Sequence, residues 1–508
     1  MSRRDRALDA LERLVEASAA ERALVSLASL VASILVGVVI ILVAGRTTTC
    51  EQAAFVLANP RPFGAPELFR VGFCYNPVAV FDSLFLGALG NPFEPGWDPL
   101  NRQMASTLRE TSILVFTGLS VALAFRAGVF NIGTQGQLVV GALATAVSVL
   151  WASALVSGLV GTVLLVPFGV GVGLQRARNR AVEPAGGGPD DDAERDEQNG
   201  TDESGDEPRG PQHGDGGRQL VVGALATAVS VLWASALVSG LVGTVLLVPF
   251  GVVVGAAFGG LYGAIPGALK AYADANEVVT TIMLNFVATG LALYLVQEVF
   301  SPGGDASRTA PLPEYALFPP LLFDSRFSFS VLALLFGFVA AGGVYVLLSR
   351  TVFGYDLRAS GIQPSAAEYG GVDAKRTVVA SMTLSGALGG IGGAVYVLMV
   401  LGRFQSNVPA YGFDGITVAI LAGNNPLGVG FAALLFGVLK SGSSVVDIAT
   451  NVPPELVGVL RGFIILFVAM PEFFRLLGRR AFPRERTPGE TVAADGGEDA
   501  AREEGEER

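Results

Sequence analysis

The 508-residue chain is 51% hydrophobic and only 16% charged, has a mean hydropathy of +0.53 and contains 65 glycines. This composition indicates an integral membrane protein and excludes an ordinary set of soluble domains. Two cysteines and one histidine also exclude a disulfide-rich scaffold and a Cys/His zinc site. The net charge of −11 belongs to residues 176–218 and 481–508, which carry −6 and −5. Such acidic segments are typical of disordered, solvated chain, and no basic patch suggests a nucleic-acid partner.

The first apolar run covers residues 23–45 and is long enough to cross about 30 Å of hydrocarbon. Five arginines lie within residues 1–22, so the positive-inside rule predicts a cytoplasmic N-terminal segment and a retained first transmembrane helix. The proline-rich residues 46–105 then form an extracytoplasmic loop. Cys50 and Cys74 lie in this loop, where an oxidising exterior would allow them to pair. A disulfide and two unpaired cysteines are equally open interpretations.

The later apolar runs predict transmembrane helices over 106–175, an acidic disordered linker over 176–218 and a transmembrane core over 219–478. That core contains a cytoplasmic loop at 350–376, and an acidic, disordered cytoplasmic tail follows at 479–508. Several runs exceed one span, so we expect an all-α polytopic bundle of about ten spans with broken helices.

Glycine is concentrated in two of these runs, Gly255–Gly267 and Gly386–Gly393. Small residues let helix backbones approach closely in lipid, where hydrophobic burial contributes little to helix association. The two runs therefore predict a tightly packed bundle.

Residues Gln137–Val170 are repeated letter for letter at Gln219–Val252, 82 positions later. Identity over 34 residues indicates a recent duplication or an assembly error, because the structural repeats of transporters have weak sequence symmetry. The basic residues of the downstream loops favour the cytoplasm. Each copy is therefore expected to contain one crossing, a turn and most of a second crossing, which preserves the downstream orientation.

Several amide side chains lie in apolar surroundings. Such groups are costly in a membrane unless paired, so they face either the bundle interior or an aqueous path. Lining a path and hydrogen bonding between helices both remain open for them. The candidates for the path are Asn131, Gln135, Gln137, Asn285, Asn424 and Asn425.

Three further features of the sequence concern helix ends. Residues Phe130–Gly136 are rich in glycine and asparagine and predict a break between two helices. Asn276 with Glu277, and Asp414, are expected to cap helices rather than to contact a solute.

The loop RTVFGYDLRASGIQPSAAEYGGVDAKR at 350–376 is the longest between well-defined spans on the predicted cytoplasmic side. Pro364 is suited to a first helical position and Gly370–Gly371 to a stop, which predicts a short helix over Pro364–Tyr369. Such a helix at the membrane surface suits insertion into a groove of another protein. The simpler alternative is a connecting loop.

Four further segments of the chain accompany the loop quoted above: LRETSILVFTGLSVALAFRAGVFNIGTQGQ at 108–137, NEVVTTIMLNFVATGL at 276–291, YGFDGITVAILAGNNPLGVGFAALLFGVL at 411–439 and LRGFIILFVA at 460–469. Together these five segments resemble the permease subunits of ATP-binding cassette importers, in the branch for simple sugars, nucleosides and branched-chain amino acids. The resemblance extends from about Leu108 to Val468.

This resemblance implies a coupling loop that docks on an ATPase. It also implies a multi-pass protein of the cytoplasmic membrane whose partners are ATPase subunits, a second permease, an extracytoplasmic solute-binding protein and membrane lipid. The chain departs from the nucleoside-like members at Thr134–Gln135, where they carry a small residue and a glutamate, and in its duplicated segment. The coupling residues are Gly361, Ala366, Ala367, Tyr369, Gly370 and Gly371.

We therefore expect a permease that forms the translocation path for a nucleoside or a simple sugar. The chain has no G-x-x-x-x-G-K-[ST] phosphate loop, so we expect no cofactor in it and place ATP and magnesium on a partner subunit. No catalytic or metal-ligating constellation is evident, which predicts a protein that is not an enzyme. The alternative is an ion-coupled secondary transporter of a small polar solute, which would require an acid or base within the membrane.

Overall fold

The structure is a computed structural model that describes residues 18–58, 70–155, 243–301 and 307–469. The described residues form two compact units. Unit 1 consists of those within Met1–Leu114 and Ile416–Arg508, and unit 2 consists of those within Val115–Gly415. The predicted acidic linker and tail lie outside the described residues.

The described residues form thirteen α-helices and one antiparallel hairpin of β1 (Phe55–Ala58) and β2 (Arg70–Phe73), in agreement with the expected all-α polytopic bundle. The helices are α1 (Ser18–Thr47), α2 (Pro77–Phe85), α3 (Arg102–Arg126), α4 (Thr134–Leu155), α5 (Val248–Ala273), α6 (Glu277–Leu295), α7 (Val331–Arg350), α8 (Val352–Ile362), α9 (Pro364–Tyr369), α10 (Ala374–Val395), α11 (Tyr411–Leu421), α12 (Pro426–Ala449) and α13 (Pro454–Ala469).

Seven helical segments of the described residues are long and apolar enough to cross a membrane. They correspond to α3 to α7, α10 and α12, where wider turns extend α5 at its start and α6 and α10 at their ends. Helix α1 includes the predicted first transmembrane segment, 23–45. The expected ten spans included the duplicated segment, most of which lies outside the described residues.

In unit 1, helices α1 and α13 pack against each other. The apolar core of this unit includes Ile41, Leu84, Leu439 and Leu460. Helix α2 packs on α12, where Gly442 leaves room for the carbonyl of Leu84.

The predicted loop 46–105 is more structured than its polar, proline-rich composition indicated. It contains the hairpin, α2 and a Cys50–Cys74 disulfide with a Cα–Cα distance of 5.8 Å. Asn76 caps α2 by accepting from the amide of Val78 at 3.0 Å, and Pro77 occupies the first turn. This Asn-Pro signal is typical of a helix start, but the abundance of prolines around it obscures the pattern.

The two glycine-rich runs pack against each other in unit 2, on α5 and α10. A Cβ placed on Gly259 would lie 2.6 Å from the carbonyl oxygen of Gly386, and one on Gly263 would lie 2.5 Å from that of Met382. Backbone therefore meets backbone along this interface, and a larger side chain does not fit. The prediction of tight packing is confirmed, and the structure adds which helices pair.

The described α4–α5 pair takes its helices from both copies of the repeat. Helix α4 uses residues of the first copy as far as Leu155, and α5 begins in the second copy at Val248. The hydroxyl of Thr145 in the first copy donates to the carbonyl of Gly251 in the second at 2.9 Å. Residues 156–242 lie outside the described chain, so the described bundle contains a single α4–α5 pair.

Capping follows the sequence signals at α6 but not at α11. Asn276 accepts from the amides of Val278 and Val279, and Glu277 forms an ion pair with Lys270 at 3.3 Å. Asp414 is the fourth residue of α11 rather than its cap, because the helix begins three residues earlier at Tyr411.

Candidate functional site

The break predicted at Phe130–Gly136 separates α3 from α4, and two of the predicted amides close it by pairing with each other. Asn131 donates through Nδ2 to Oε1 of Gln137 at 2.9 Å, and Gln137 donates through Nε2 to Oδ1 of Asn131 at 3.1 Å. Asn131 also donates to Ser385 of α10 at 2.6 Å. Both amides are buried, so this reciprocal pair holds the break against α10.

Gln135 is the second residue of α4 and connects it to the start of α11. Its Oε1 accepts from the amide of Gly412 at 2.8 Å, and its Nε2 donates to the carbonyl of Pro409 at 3.0 Å. The side chain is only 7% exposed. Both ends of the amide are therefore engaged with backbone that precedes or begins α11.

Asn285 of α6 satisfies backbone groups of the same break. Its Oδ1 accepts from the amide of Gly136 at 2.8 Å, and its Nδ2 donates to the carbonyl of Ile132 at 3.0 Å. Interrupted helices are stable in a membrane only when the freed backbone groups find partners within the protein. Asn285 supplies two such partners from a helix that is distant in sequence.

The structure thus brings four of the six path candidates into one buried polar cluster at the α3–α4 junction: Asn131, Gln135, Gln137 and Asn285. In this conformation their amides bond to protein groups, as expected for interhelical hydrogen bonding. The assignment to a translocation path stays a prediction, since it concerns other conformations as well.

The remaining two candidates, Asn424 and Asn425, form the turn between α11 and α12 in unit 1. Asn424 has a left-handed backbone with φ of 55°, and Asn425 caps α12 by accepting from the amide of Leu427 at 3.1 Å. Asn425 is exposed. Its established contact is therefore a helix cap.

The predicted coupling residues form the link from α8 to α10. Helix α9 spans Pro364–Tyr369 as predicted, with Pro364 in the first turn and Gly370 after the last residue. Ala367 is buried, whereas Ala366 is exposed and Tyr369 is 96% exposed. Gly371 follows with φ of +87°.

Large apolar side chains of α8 and α9 project away from the protein. Four of them are between 62% and 96% exposed, namely Val352, Tyr355, Ile362 and Tyr369. An exposed apolar patch of this kind is typical of a protein interaction site.

A charged cluster in unit 1 was missed in the sequence. Glu110 of α3 lies 3.6 Å from Arg109 and 3.5 Å from Lys440 of α12, measured between charged atoms. Its side chain is 10% exposed. A charge near the start of a long apolar run was the signal, but the partner on α12 depends on the fold.

Comparison with known protein families shows to which family the chain belongs. A family model described as the branched-chain amino acid transport system permease component matches residues 103–183 and 216–469, which is more than half of the chain. The chain belongs to this permease family. The gap between the two matched ranges falls in the acidic linker.

Three similar proteins are transporter permeases with named substrates. The nucleoside ABC transporter permease NupB of Lactococcus lactis is 29% identical over 79% of this permease and 86% of its own length. The guanosine permease NupP of Bacillus subtilis is 27% identical over 78% of this permease and 86% of NupP. The glucose permease TsgB13 of Haloferax volcanii is 32% identical over 51% of this permease and 68% of TsgB13. No solved structure matches the chain.

The permease also has an apolar groove of about 700 Å³ between α4, α5 and α6. Among the described residues that line it, Ser148 is the one polar residue, and the others are apolar residues such as Trp151, Phe250 and Phe258. This described lining offers fewer hydrogen-bonding groups than a polyhydroxylated solute requires.

Metal-binding groups are equally scarce in the part of the permease that the structure describes. No group of three or more histidine, cysteine, aspartate or glutamate side chains is close enough to hold a metal ion there.

Proposed function

We propose that this permease is a membrane-spanning subunit of an ATP-binding cassette importer that takes up a nucleoside. The observation that carries the proposal is the similarity to NupB and NupP, which extends over 86% of each relative. Similarity to the glucose permease has a higher identity but covers 68% of that protein. A nucleoside is therefore favoured over a simple sugar, although both are neutral and polyhydroxylated.

The coupling segment supports docking on an ATPase. Helix α9 is short and bounded by Pro364 and Gly370, and Tyr369 projects almost fully into the surroundings. Together with Ile362 and Tyr355 it presents apolar surface on a segment of otherwise small and polar residues. Burial of that surface in a groove of the ATPase would provide the docking energy.

The complete importer contains two ATPase subunits, a second permease and an extracytoplasmic solute-binding protein, and membrane lipid surrounds the two permeases. ATP and magnesium bind to the ATPase subunits, because this chain has no phosphate-binding loop in its sequence. The five arginines within residues 1–22 support a cytoplasmic N-terminus in a multi-pass protein.

ATP binding closes the ATPase pair, α9 moves with the ATPase surface, and the path between the two permeases changes its accessible side. We place Asn131, Gln135, Gln137, Asn285, Asn424 and Asn425 along or beside this path. Amides suit a neutral solute, since they donate and accept hydrogen bonds without a fixed charge. The buried cluster of four amides lies at the break between α3 and α4. Breaks of this kind border substrate paths in other transporters.

The relatives do not favour an ion-coupled carrier. Such a carrier needs an intramembrane acid that exchanges a coupling ion. Glu110 lies within α3, but it is engaged with Lys440 and Arg109. A carboxylate held by two cations is poorly suited to bind a further cation.

Uptake of labelled guanosine and labelled glucose tests the proposal in matched cells with and without this gene. ATP depletion and collapse of the proton gradient are applied separately. We expect gene-dependent guanosine uptake that disappears on ATP depletion and persists without the gradient. Glucose uptake with the same energetics would mean that the substrate is a simple sugar rather than a nucleoside. Loss of uptake on gradient collapse alone would contradict the importer assignment.

A further inference from the structure

The end of α8 touches the end of α3 through two glycines. A Cβ on Gly361 would lie 2.6 Å from the carbonyl oxygen of Arg126, 2.8 Å from the carbonyl carbon of Ala127 and 2.9 Å from the amide nitrogen of Gly128. A Cβ on Gly128 would lie 2.7 Å from the carbonyl oxygen of Gly361. The contact is therefore backbone against backbone, and neither position accepts a side chain without displacement of the other.

Gly128 is constrained by conformation as well as by space. Its φ is +71°, a left-handed value that glycine adopts without steric cost. This residue follows directly on the last turns of α3, where its amide bonds to the carbonyl of Phe125 at 3.1 Å. Gly128 therefore ends α3 and provides the surface on which Gly361 lies.

On the other side of the contact, Gly361 is tightly connected to α9. The amide of Gln363 bonds to the carbonyl of Ala359, and the amide of Ala367 bonds to the carbonyl of Gln363. These bonds join the end of α8 to the first turn of α9 with only Ile362 and Gln363 between Gly361 and Pro364. Gly361 and α9 are thus linked by a short, hydrogen-bonded segment.

The chain beyond Gly128 leads to the amide cluster. Val129 is 3% exposed and bonds back to the carbonyl of Ala124 at 3.1 Å. Asn131 follows two residues later and contacts Gln137 and Ser385. Only Val129 and Phe130 lie between Gly128 and Asn131 of the polar cluster at the α3–α4 junction.

We infer that the Gly361–Gly128 contact transmits movement of α9 to the α3–α4 junction, so that both glycines are positioning residues for the coupling of ATP hydrolysis to transport. This inference rests on the proposed importer function. Contiguity alone does not establish energetic coupling, so the test must measure coupling itself.

The test uses liposomes that carry the permease assembled with its ATPase and second permease subunits. Labelled guanosine and a solute-binding protein are supplied outside the liposomes, and ATP is supplied at the ATPase face. Uptake and ATP hydrolysis are measured on the same preparation for Gly361→Ala, Gly128→Ala and Gly343→Ala. Gly343→Ala is the matched control, since it lies in α7 outside the coupling residues and nothing lies within 4 Å of its Cβ.

We expect uptake per ATP hydrolysed to fall roughly tenfold or more in Gly361→Ala and Gly128→Ala while hydrolysis continues. The control keeps the wild-type ratio. A wild-type ratio in Gly361→Ala overturns the inference and leaves the importer function intact. If the wild-type complex itself shows no ATP-driven uptake, the proposed function fails instead.

A second variant covers the case in which Gly361→Ala fails to assemble. Two glycines inserted between Ile362 and Gln363 retain both Gly361 and α9 but loosen the connection between them. This variant is expected to bind the ATPase and to lose uptake per ATP hydrolysed to the same extent. A normal ratio in the insertion variant would show that no stiff link is needed and would overturn the inference.

Discussion

The ammonium group of Lys440 on α12 lies 3.5 Å from the carboxylate of Glu110 on α3. Arg109 approaches the other oxygen of the same carboxylate at 3.6 Å, and all three side chains are at most 27% exposed. One carboxylate therefore lies between two cations on two packed helices of unit 1, and the three groups together carry a formal charge of +1. Partly buried charges of this kind are costly when a partner is removed, because the remaining charge stays in a poorly solvated place.

Glu110→Gln is expected to destabilise the protein more than Lys440→Met. The first change leaves two cations close together without their carboxylate, whereas the second leaves Glu110 with Arg109. We expect losses of about 3 kcal/mol and about 1 kcal/mol, respectively. Thermal melting of the purified protein in detergent measures both.

Glu455→Gln is the control for this pair, since Glu455 is exposed in the first turn of α13. The double exchange Glu110→Lys with Lys440→Glu should recover part of the loss of Glu110→Lys alone. Equal melting temperatures for Glu110→Gln and the wild type would show that the cluster contributes nothing to stability.

Asn285→Leu is expected to lower the melting temperature by several degrees. Leucine has a similar size but leaves the amide of Gly136 and the carbonyl of Ile132 without their partner, at a cost of roughly 1–3 kcal/mol for each buried group. Thr289→Val on the exposed face of the same helix removes only a bond to the carbonyl of Asn285 and serves as the control.

Transport kinetics of the same variants separate the two interpretations of the amide cluster. A purely structural Asn285 predicts fewer active transporters with an unchanged KM for guanosine. A raised KM at normal stability would instead place the side chain in contact with the solute.

Local sequence signals predicted some parts of the site closely. Helix α9 has its start signal at Pro364 and its stop at Gly370, and the cap of α6 is Asn276 directly before Glu277. Each signal acts through atoms a few residues apart, so the sequence alone contains it.

Pairing between distant residues is a different case. Asn131 meets Ser385 across 254 positions, and Asn285 meets Gly136 across 149. The amides were recognisable as candidates because polar groups in apolar runs need partners, but the partners depend on how the helices pack. The same reason explains why Glu110 and Lys440 were not paired from the sequence.

Gly259→Ala is expected to destabilise the α5–α10 interface strongly. The added Cβ would lie 2.6 Å from the carbonyl oxygen of Gly386 and from the Cα of Gly390, so the two helices must separate. Gly290→Ala is the control, since nothing lies within 4 Å of its Cβ and alanine favours the helix. Thermal melting should show a large decrease for the first variant and no decrease for the second; similar values for both would argue against the observed packing.

Deletion of residues 138–219 is expected to preserve folding and transport. Because the two copies are identical, this deletion produces the same protein as deletion of 156–237, which removes only residues outside the described chain. The Thr145–Gly251 bond and the α5–α10 interface are therefore retained. Guanosine uptake, normalised to the amount of protein in the membrane, is the measurement, and its complete loss at normal expression would contradict the expectation.

Single substitutions in the full chain test which copy supplies each helix of the pair. Thr145→Val removes the observed bond to Gly251, whereas Thr227→Val makes the same change at the equivalent position of the second copy. A lower melting temperature is expected for Thr145→Val alone. Likewise, Gly251→Leu should be harmful, because even a Cβ there would lie 2.8 Å from Val149, and Gly169→Leu in the first copy should not. Destabilisation by Thr227→Val rather than Thr145→Val would mean that α4 forms from the second copy. Destabilisation by Gly169→Leu rather than Gly251→Leu would mean that the start of α5 forms from the first copy.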